Sequence, residues 1–168
     1  HDRKRLPGFS GAARRERCGR LNQPDTPTAG RFEGREHRLP VRVYYEDTDF
    51  TGLVYHANYL RYFERGRSDC LRLMGVGHAE LLDGDKPMAF VVSKMELRFL
   101  KPARIDDALL VRPHYDAVKG PRLLISQAIT RGEDVLCRAE VEVVCIQVDG
   151  RPRRPTPLLR DKIGPWLA

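Results

Sequence analysis

An α+β domain, with one long helix beside a five-stranded antiparallel sheet, is the fold class that this 168-residue sequence predicts. Three observations point there. Only one stretch, beginning near Asn58, spaces its apolar residues by three and four as a helix does. Four later stretches have strand composition, and Gly, Pro and Asp turn signals separate them. With 41% apolar residues, a chain of this length can bury one real core and is marginal for two domains.

Taken in order, residues 39–46 (LPVRVYYE) form a short β-type run rich in Val and Tyr, followed by the acidic turn EDTDFTG with Gly52 as a breaker. The helix then carries Tyr59, Tyr62, Phe63, Gly66, Cys70 and Leu73 as one apolar stripe. Arg61, Glu64, Arg65, Arg67, Asp69 and Arg72 are expected on the other side. Asn58 is the expected N-cap, and the Gly75–Gly77 region the stop. Gly66 inside the helix costs about 1 kcal/mol relative to Ala unless something packs closely there, and a sheet laid on the helix would supply that reason.

The strands are expected at Ala89–Leu100, Ala108–Val118, Arg122–Arg131 and Val135–Val148. The last alternates most cleanly: Val135, Cys137, Ala139, Val141, Val143 and Cys145 share one face, and Arg138, Glu140 and Glu142 the other. The closing DGRPRRPTPL is turn- and Pro-rich and is expected along the surface. Bare edge strands of this length invite pairing, so a homodimer or homotetramer is expected.

Charge is unevenly spread. Residues 1–38 hold ten Lys+Arg against five Asp+Glu, which is +5 of the chain's +7. They show no apolar period and read as a disordered basic tail or an expression remnant, leaving residues 39–168 as the folded domain. A basic pI that comes mostly from a tail says little about the core's partner. The core also lacks an RNP, zinc or helix-turn-helix signature, so nucleic acid is not the expected partner. No window has the ~18 apolar residues of a membrane span, and no secretory apolar run is present. Cys18, Cys70, Cys137 and Cys145 have no CxxC spacing and read as reduced thiols in a cytoplasmic protein.

Chemistry concentrates where the first strand hands over to the helix. A carboxylate at Asp49, exposed by the loop, can attack a carbonyl or activate a water. Backbone N–H groups around Tyr55 to Asn58 can hold a developing oxyanion, one such donor being worth about 3 kcal/mol of barrier. Asp47 and Asp49 also suit an ordinary turn, because Asp caps helices. Tyr45, four residues before Asp49, suits either strand packing or a pocket wall, and Glu64 either a solvated or dimer-facing helix charge or a site residue. No Gly-rich phosphate loop is present.

The stretch from Val41 to Arg72, VRVYYEDTDFTGLVYHANYLRYFERGRSDCLR, resembles the acyl-CoA thioesterases of the 4-hydroxybenzoyl-CoA thioesterase family, most of all the Tol-Pal-associated YbgC group. The likeness continues through FVVSKMELRFLKPARIDD and AEVEVVCI, covering about residues 40–158. It implies the hot-dog fold, an acyl-CoA substrate, Asp49 as catalytic carboxylate and His56 as its assistant, with no resident cofactor or metal. It leaves open whether Asp49 is nucleophile or general base. Coenzyme A carries phosphates, so Lys94, Arg98, Lys101 and Arg104, with Arg122, are candidate contacts. Phe50 and Thr51 stand where small residues are usual before Gly52, a departure that bears on acyl-chain preference. Two rival readings share the fold: an enzyme acting on acyl groups of acyl carrier protein, as thioesterase or dehydratase, and a non-catalytic scaffold for lipid-synthesis enzymes.

Overall fold

The computed structural model describes residues 30–83 and 85–168. Six antiparallel strands form one sheet: β1 (Arg31–Glu33), β2 (Glu36–Arg42), β3 (Met88–Phe99), β4 (Ala108–Lys119), β5 (Arg122–Arg131) and β6 (Asp134–Gln147), in the order β1-β2-β4-β5-β6-β3. The long helix α1 (His56–Leu73) lies on one face, with α2 (His78–Asp83) after it and α3 (Pro157–Ile163) near the end. This is the predicted arrangement of one helix against an antiparallel sheet, with one strand more than the five expected.

The extra strand comes from the segment assigned to the tail. Residues 1–29 of the expected 1–38 tail lie outside the described residues, but residues 31–38 belong to the β1–β2 hairpin. A buried His37–Asp69 hydrogen bond fixes that hairpin, not apolar periodicity, which is why pattern alone did not place it. His37 is 1% exposed, and its Nε2 lies 2.8 Å from Oδ2 of Asp69, which also accepts a 2.8 Å hydrogen bond from the Gly30 amide. Phe32 stacks on Trp166 with centroids 3.9 Å apart and meets the His37 ring edge-on. The two ends of the described chain are therefore knitted together over the last turns of α1.

The helix also differs in detail from its expected face. Tyr59, Tyr62, Phe63, Gly66 and Cys70 are buried as expected, but Leu73 is exposed, while Arg67 and Asp69 are buried. Arg67 stands four residues after Phe63, so it falls on the stripe by spacing. Its charge is tolerated because one guanidinium nitrogen donates to Gln127 Oε1 at 2.8 Å and the other pairs with Glu64 at 2.5 Å. The helix begins at His56, two residues before the expected cap, and Asn58 lies inside its first turn.

Gly66 has the packing reason that its position required. A Cβ there would lie 2.7 Å from Cγ1 of Val111, a fully buried β4 side chain. The β-branched valine has little rotamer freedom with which to yield. The sheet thus approaches α1 as closely as a bare backbone allows. Along β6 the predicted alternation holds from Cys137 to Cys145, with Cys137, Ala139, Val141, Val143 and Cys145 buried. Val135, expected on the same face, is only half-buried, and Leu136 is buried in its place, where the pairing with β5 shifts register. The Pro-rich close runs along the surface as expected, then turns inward as α3, which Thr156 caps and which buries Leu159 and Ile163.

Two outcomes test this packing. Gly66→Ala is expected to cost about 2 kcal/mol by overpacking, lowering Tm by roughly 5–10 °C in thermal unfolding, whereas an unobstructed helical glycine would gain from the change. Burial holds the His37 imidazole below its ordinary range, against the opposing pull of Asp69. The unfolded chain takes up that proton first, so the contribution is complete above about pH 6.5 and is lost as pH falls. His37→Gln should therefore lose less Tm than the wild type between pH 7.5 and 5.5. An equal loss in both would contradict this.

Candidate active site

The segment joining β2 to α1 is bound down at several points. Val43 is fully buried and exchanges backbone hydrogen bonds with Asp106 and Asp107, extending the sheet's edge into the turn. The expected strand through Glu46 instead stops at Arg42, because Tyr45–Asp47 coil into a 3₁₀ turn. Asp47 is buried. Its Oδ2 accepts the Tyr44 amide at 2.8 Å, and its carbonyl accepts both the Tyr55 amide (2.9 Å) and Asn58 Nδ2 (2.7 Å). Asn58 is therefore a clamp between turn and helix, not the expected N-cap. Its burial in the helix gave no sequence signal beyond its position in YHANY.

Beyond Asp47 the chain makes a small closed loop. Thr48 bridges Val54, the Asp49 amide donates to the Leu53 carbonyl at 3.0 Å, and the Gly52 amide donates to the Asp49 carbonyl at 3.1 Å. Gly52 has φ +76°, a left-handed conformation that a side chain would strain. Leu53 bridges Arg104, the Val54 amide donates to Ala103, and the Ala103 amide donates to the hydroxyl of Tyr59 at 2.9 Å. The loop is thus tied to α1 on one side and to the β3–β4 connection on the other.

Asp49 projects from this loop with its carboxylate exposed. Oδ1 accepts the Thr51 hydroxyl at 2.5 Å and the Thr51 amide at 2.8 Å. The hydroxyl first, and the amide second, hold the Asp49 carboxyl below the usual carboxylate range, so it is ionised at neutral pH. His56 is the first residue of α1, exposed, with its ring 4.3 Å from that of Tyr55. No side chain caps this helix end, and no acidic residue sits in its first turn. An uncapped N-terminus of an 18-residue helix leaves N–H groups and the positive end of the dipole available to an anion.

Tyr45, the third expected site residue, is 84% exposed, and its carbonyl accepts from the Thr48 hydroxyl at 2.9 Å. Tyr44, Phe50 and Tyr55 are exposed as well, so bare aromatic rings flank Asp49 on both sides in sequence. None of the main clefts formed by the described residues of a single chain includes Asp49.

The candidate phosphate contacts separate. Arg104 is brought to the loop through its bridge to Leu53. Lys101 is paired with Asp134, and Arg98 lies 3.4 Å from Glu96. Lys94 and Arg98 stand opposite Glu142 and Arg138 on β6, on the sheet face away from α1. Arg122 is paired with Glu142 on that same face. The residue whose contact to Asp49 the sequence reading passed over is Thr51, noted only as a bulky departure. An acidic residue followed two positions later by Thr is the signal that marks such a turn.

Known proteins share both sequence and architecture with this chain. The model of the thioesterase-like superfamily matches residues 43–167. The acyl-CoA thioesterase YbgC of Haemophilus influenzae is 41% identical over 110 residues, 66% of this chain and 80% of that protein. The acyl-CoA thioester hydrolase YbgC of Escherichia coli is 43% identical over 110 residues, 65% of this chain and 81% of its own length. A solved structure of a probable thioesterase from Bartonella henselae superposes with a TM-score of 0.70 at 42% identity, covering 72% of this chain and 99% of that one. The chain belongs to the thioesterase-like superfamily, among its YbgC-like members of the hot-dog fold.

Proposed function

We propose that this chain hydrolyses the thioester bond of acyl-CoA, releasing a free acid and CoA, with the Asp49 carboxylate driving the reaction. The observation that carries this reading is an ionised, exposed carboxylate locked in a short loop before the uncapped N-terminus of α1. The YbgC relatives, described as acyl-CoA thioesterases, support the reaction class. Two routes lead to the same products. Asp49 attacks the acyl carbon, expels the CoA thiolate and forms an anhydride that water opens, or it removes a proton from a water that attacks. In either route the oxyanion forms near the helix start, where the α1 amides stabilise it. His56, opening the same helix, is suited to orient the thioester carbonyl. Arg104, bridged to the loop, is the best of the candidate phosphate contacts.

A single chain leaves this site open, and a second copy closes it. Tyr44, Tyr45, Phe50 and Tyr55 expose apolar surface around Asp49 that a soluble monomer would cover. β3 is the terminal strand of the sheet, twelve residues long, and its outer edge has no partner among the described residues. A homodimer is the smallest assembly that meets both needs. The buried, unbridged Cys70, Cys137 and Cys145 are consistent with a reducing, cytoplasmic setting. Among the described residues no helix is long and apolar enough to cross a membrane.

Asp49→Asn is expected to lower turnover of acyl-CoA at least about a hundredfold with an unchanged Tm, read by thiol release and thermal unfolding. His56→Ala should cost less. Retention of near-normal turnover by Asp49→Asn would remove the carboxylate from the reaction.

A further inference from the structure

We infer that Thr51 is a positioning residue for the hydrolysis: its hydroxyl and amide together hold Oδ1 of Asp49, so that Oδ2 is the oxygen presented to the thioester. This rests on the reading of Asp49 as the reacting carboxylate. A free aspartate rotates about χ2 and offers either oxygen to solvent. Here the Thr51 hydroxyl at 2.5 Å and the Thr51 amide at 2.8 Å converge on the same oxygen. Oδ2 accepts no hydrogen bond among the described residues, so one oxygen is anchored and the other is free to react.

The anchoring is local and rigid. Gly52, the next residue, is itself fixed by its amide bond to the Asp49 carbonyl and by its carbonyl, which accepts the Ile105 amide at 3.3 Å. Thr51 is therefore gripped by a four-residue turn closed on both sides. Among the described residues its hydroxyl makes no other hydrogen bond, so the carboxylate is what orients it. A charge-assisted hydrogen bond of this kind also favours the ionised carboxylate, in keeping with the direction in which Thr51 moves the Asp49 pKa. The same pull weakens the carboxylate as a base, so the benefit lies in geometry: a fixed oxygen needs no reorganisation as the thioester arrives.

Other ionisable groups surround the loop. Glu46 and Asp47 lie in the preceding turn, His56 on α1, and Arg104, Asp106 and Asp107 in the β3–β4 connection. All of them remain when only the Thr51 hydroxyl is removed, which makes Thr51→Val, similar in shape and still carrying the amide, the informative change.

The test measures the Asp49 carboxyl and the reaction separately, on the full chain. Carbon-13 NMR titration of the Asp49 side chain is compared for wild type, Thr51→Val and Thr51→Ser, alongside steady-state hydrolysis of an acyl-CoA across pH. The expected results for Thr51→Val are a higher Asp49 pKa, kcat about tenfold lower with little change in KM, and an acid limb of kcat/KM moved to higher pH. Thr51→Ser should restore all three. An Asp49 titration that is the same in Thr51→Val as in wild type overturns the role of Thr51, as does an unchanged kcat in a variant whose Asp49 titration has moved and whose activity still depends on Asp49. If the NMR pKa moves, but neither the acid limb nor Asp49→Asn affects turnover, it is the assignment of Asp49 to the reaction that fails, and with it the positioning role.

Discussion

The carbonyl oxygen of Asp47 is the point on which the arrangement around Asp49 depends. It receives the Tyr55 amide and the Asn58 side chain, while the buried carboxylate of the same residue receives the Tyr44 amide. One residue thereby ties the end of the sheet, the turn and the first turn of α1 into a unit. Each such bond contributes only about 0.5–1.5 kcal/mol net, but stranding a buried partner costs about 1–3 kcal/mol. Both flanks of the loop carrying Asp49 and Thr51 are fixed in this way. Tyr62, fully buried and beside Asp47, has a hydroxyl without a hydrogen-bond partner among the described residues, and burial first, with that carboxylate second, keeps it protonated.

The long helix provides the frame for this unit. Its N-terminus meets the loop, its middle lies against β4 at Gly66, and its last turns hold the β1–β2 hairpin through Asp69. A helix held at three levels cannot shift along its axis without breaking a packed contact or a buried hydrogen bond. The orientation of His56 and of the first turn follows from contacts far down the same helix. In the proposed reading, stability and chemistry are coupled through α1 without a long-range network: the helix is itself the link.

The sequence made most of this legible because two periods dominate it. The spacing of Tyr59, Tyr62, Phe63, Gly66 and Cys70 specifies a helix face, and the alternation from Val135 to Cys145 specifies a strand face. Gly66 even announced the close approach that Val111 makes. What was hidden depended on polar contacts between residues distant in sequence. His37 and Asp69 are 32 positions apart, and nothing in the GREHRL segment indicates that its histidine is buried. Arg67 looked like surface because its partners, Gln127 and Glu64, neutralise a burial that the residue type argues against. At the candidate site, the resemblance pointed to Asp49 and His56, and Thr51 was seen only as bulk, since its hydrogen bond arises from loop closure. Of the five basic residues expected near phosphate, the fold brings only Arg104 to the loop by a backbone bridge. The others depend on strand direction and ion pairing, which composition does not encode.

What the single chain leaves incomplete is as informative as what it builds. Tyr45 and Phe50, close to Asp49 in sequence, are exposed, and the terminal strand β3 has no partner on its outer edge among the described residues. In the proposed reading a second copy supplies the wall that shields the thioester from bulk water. The most direct measurement is a crystal structure of the assembled protein with a non-hydrolysable ketone analogue of an acyl-CoA. The account predicts the analogue's carbonyl carbon within about 3.5 Å of Asp49 Oδ2, with its oxygen toward the first amides of α1. An acyl carbon bound away from Asp49 in a fully occupied, assembled protein would contradict it.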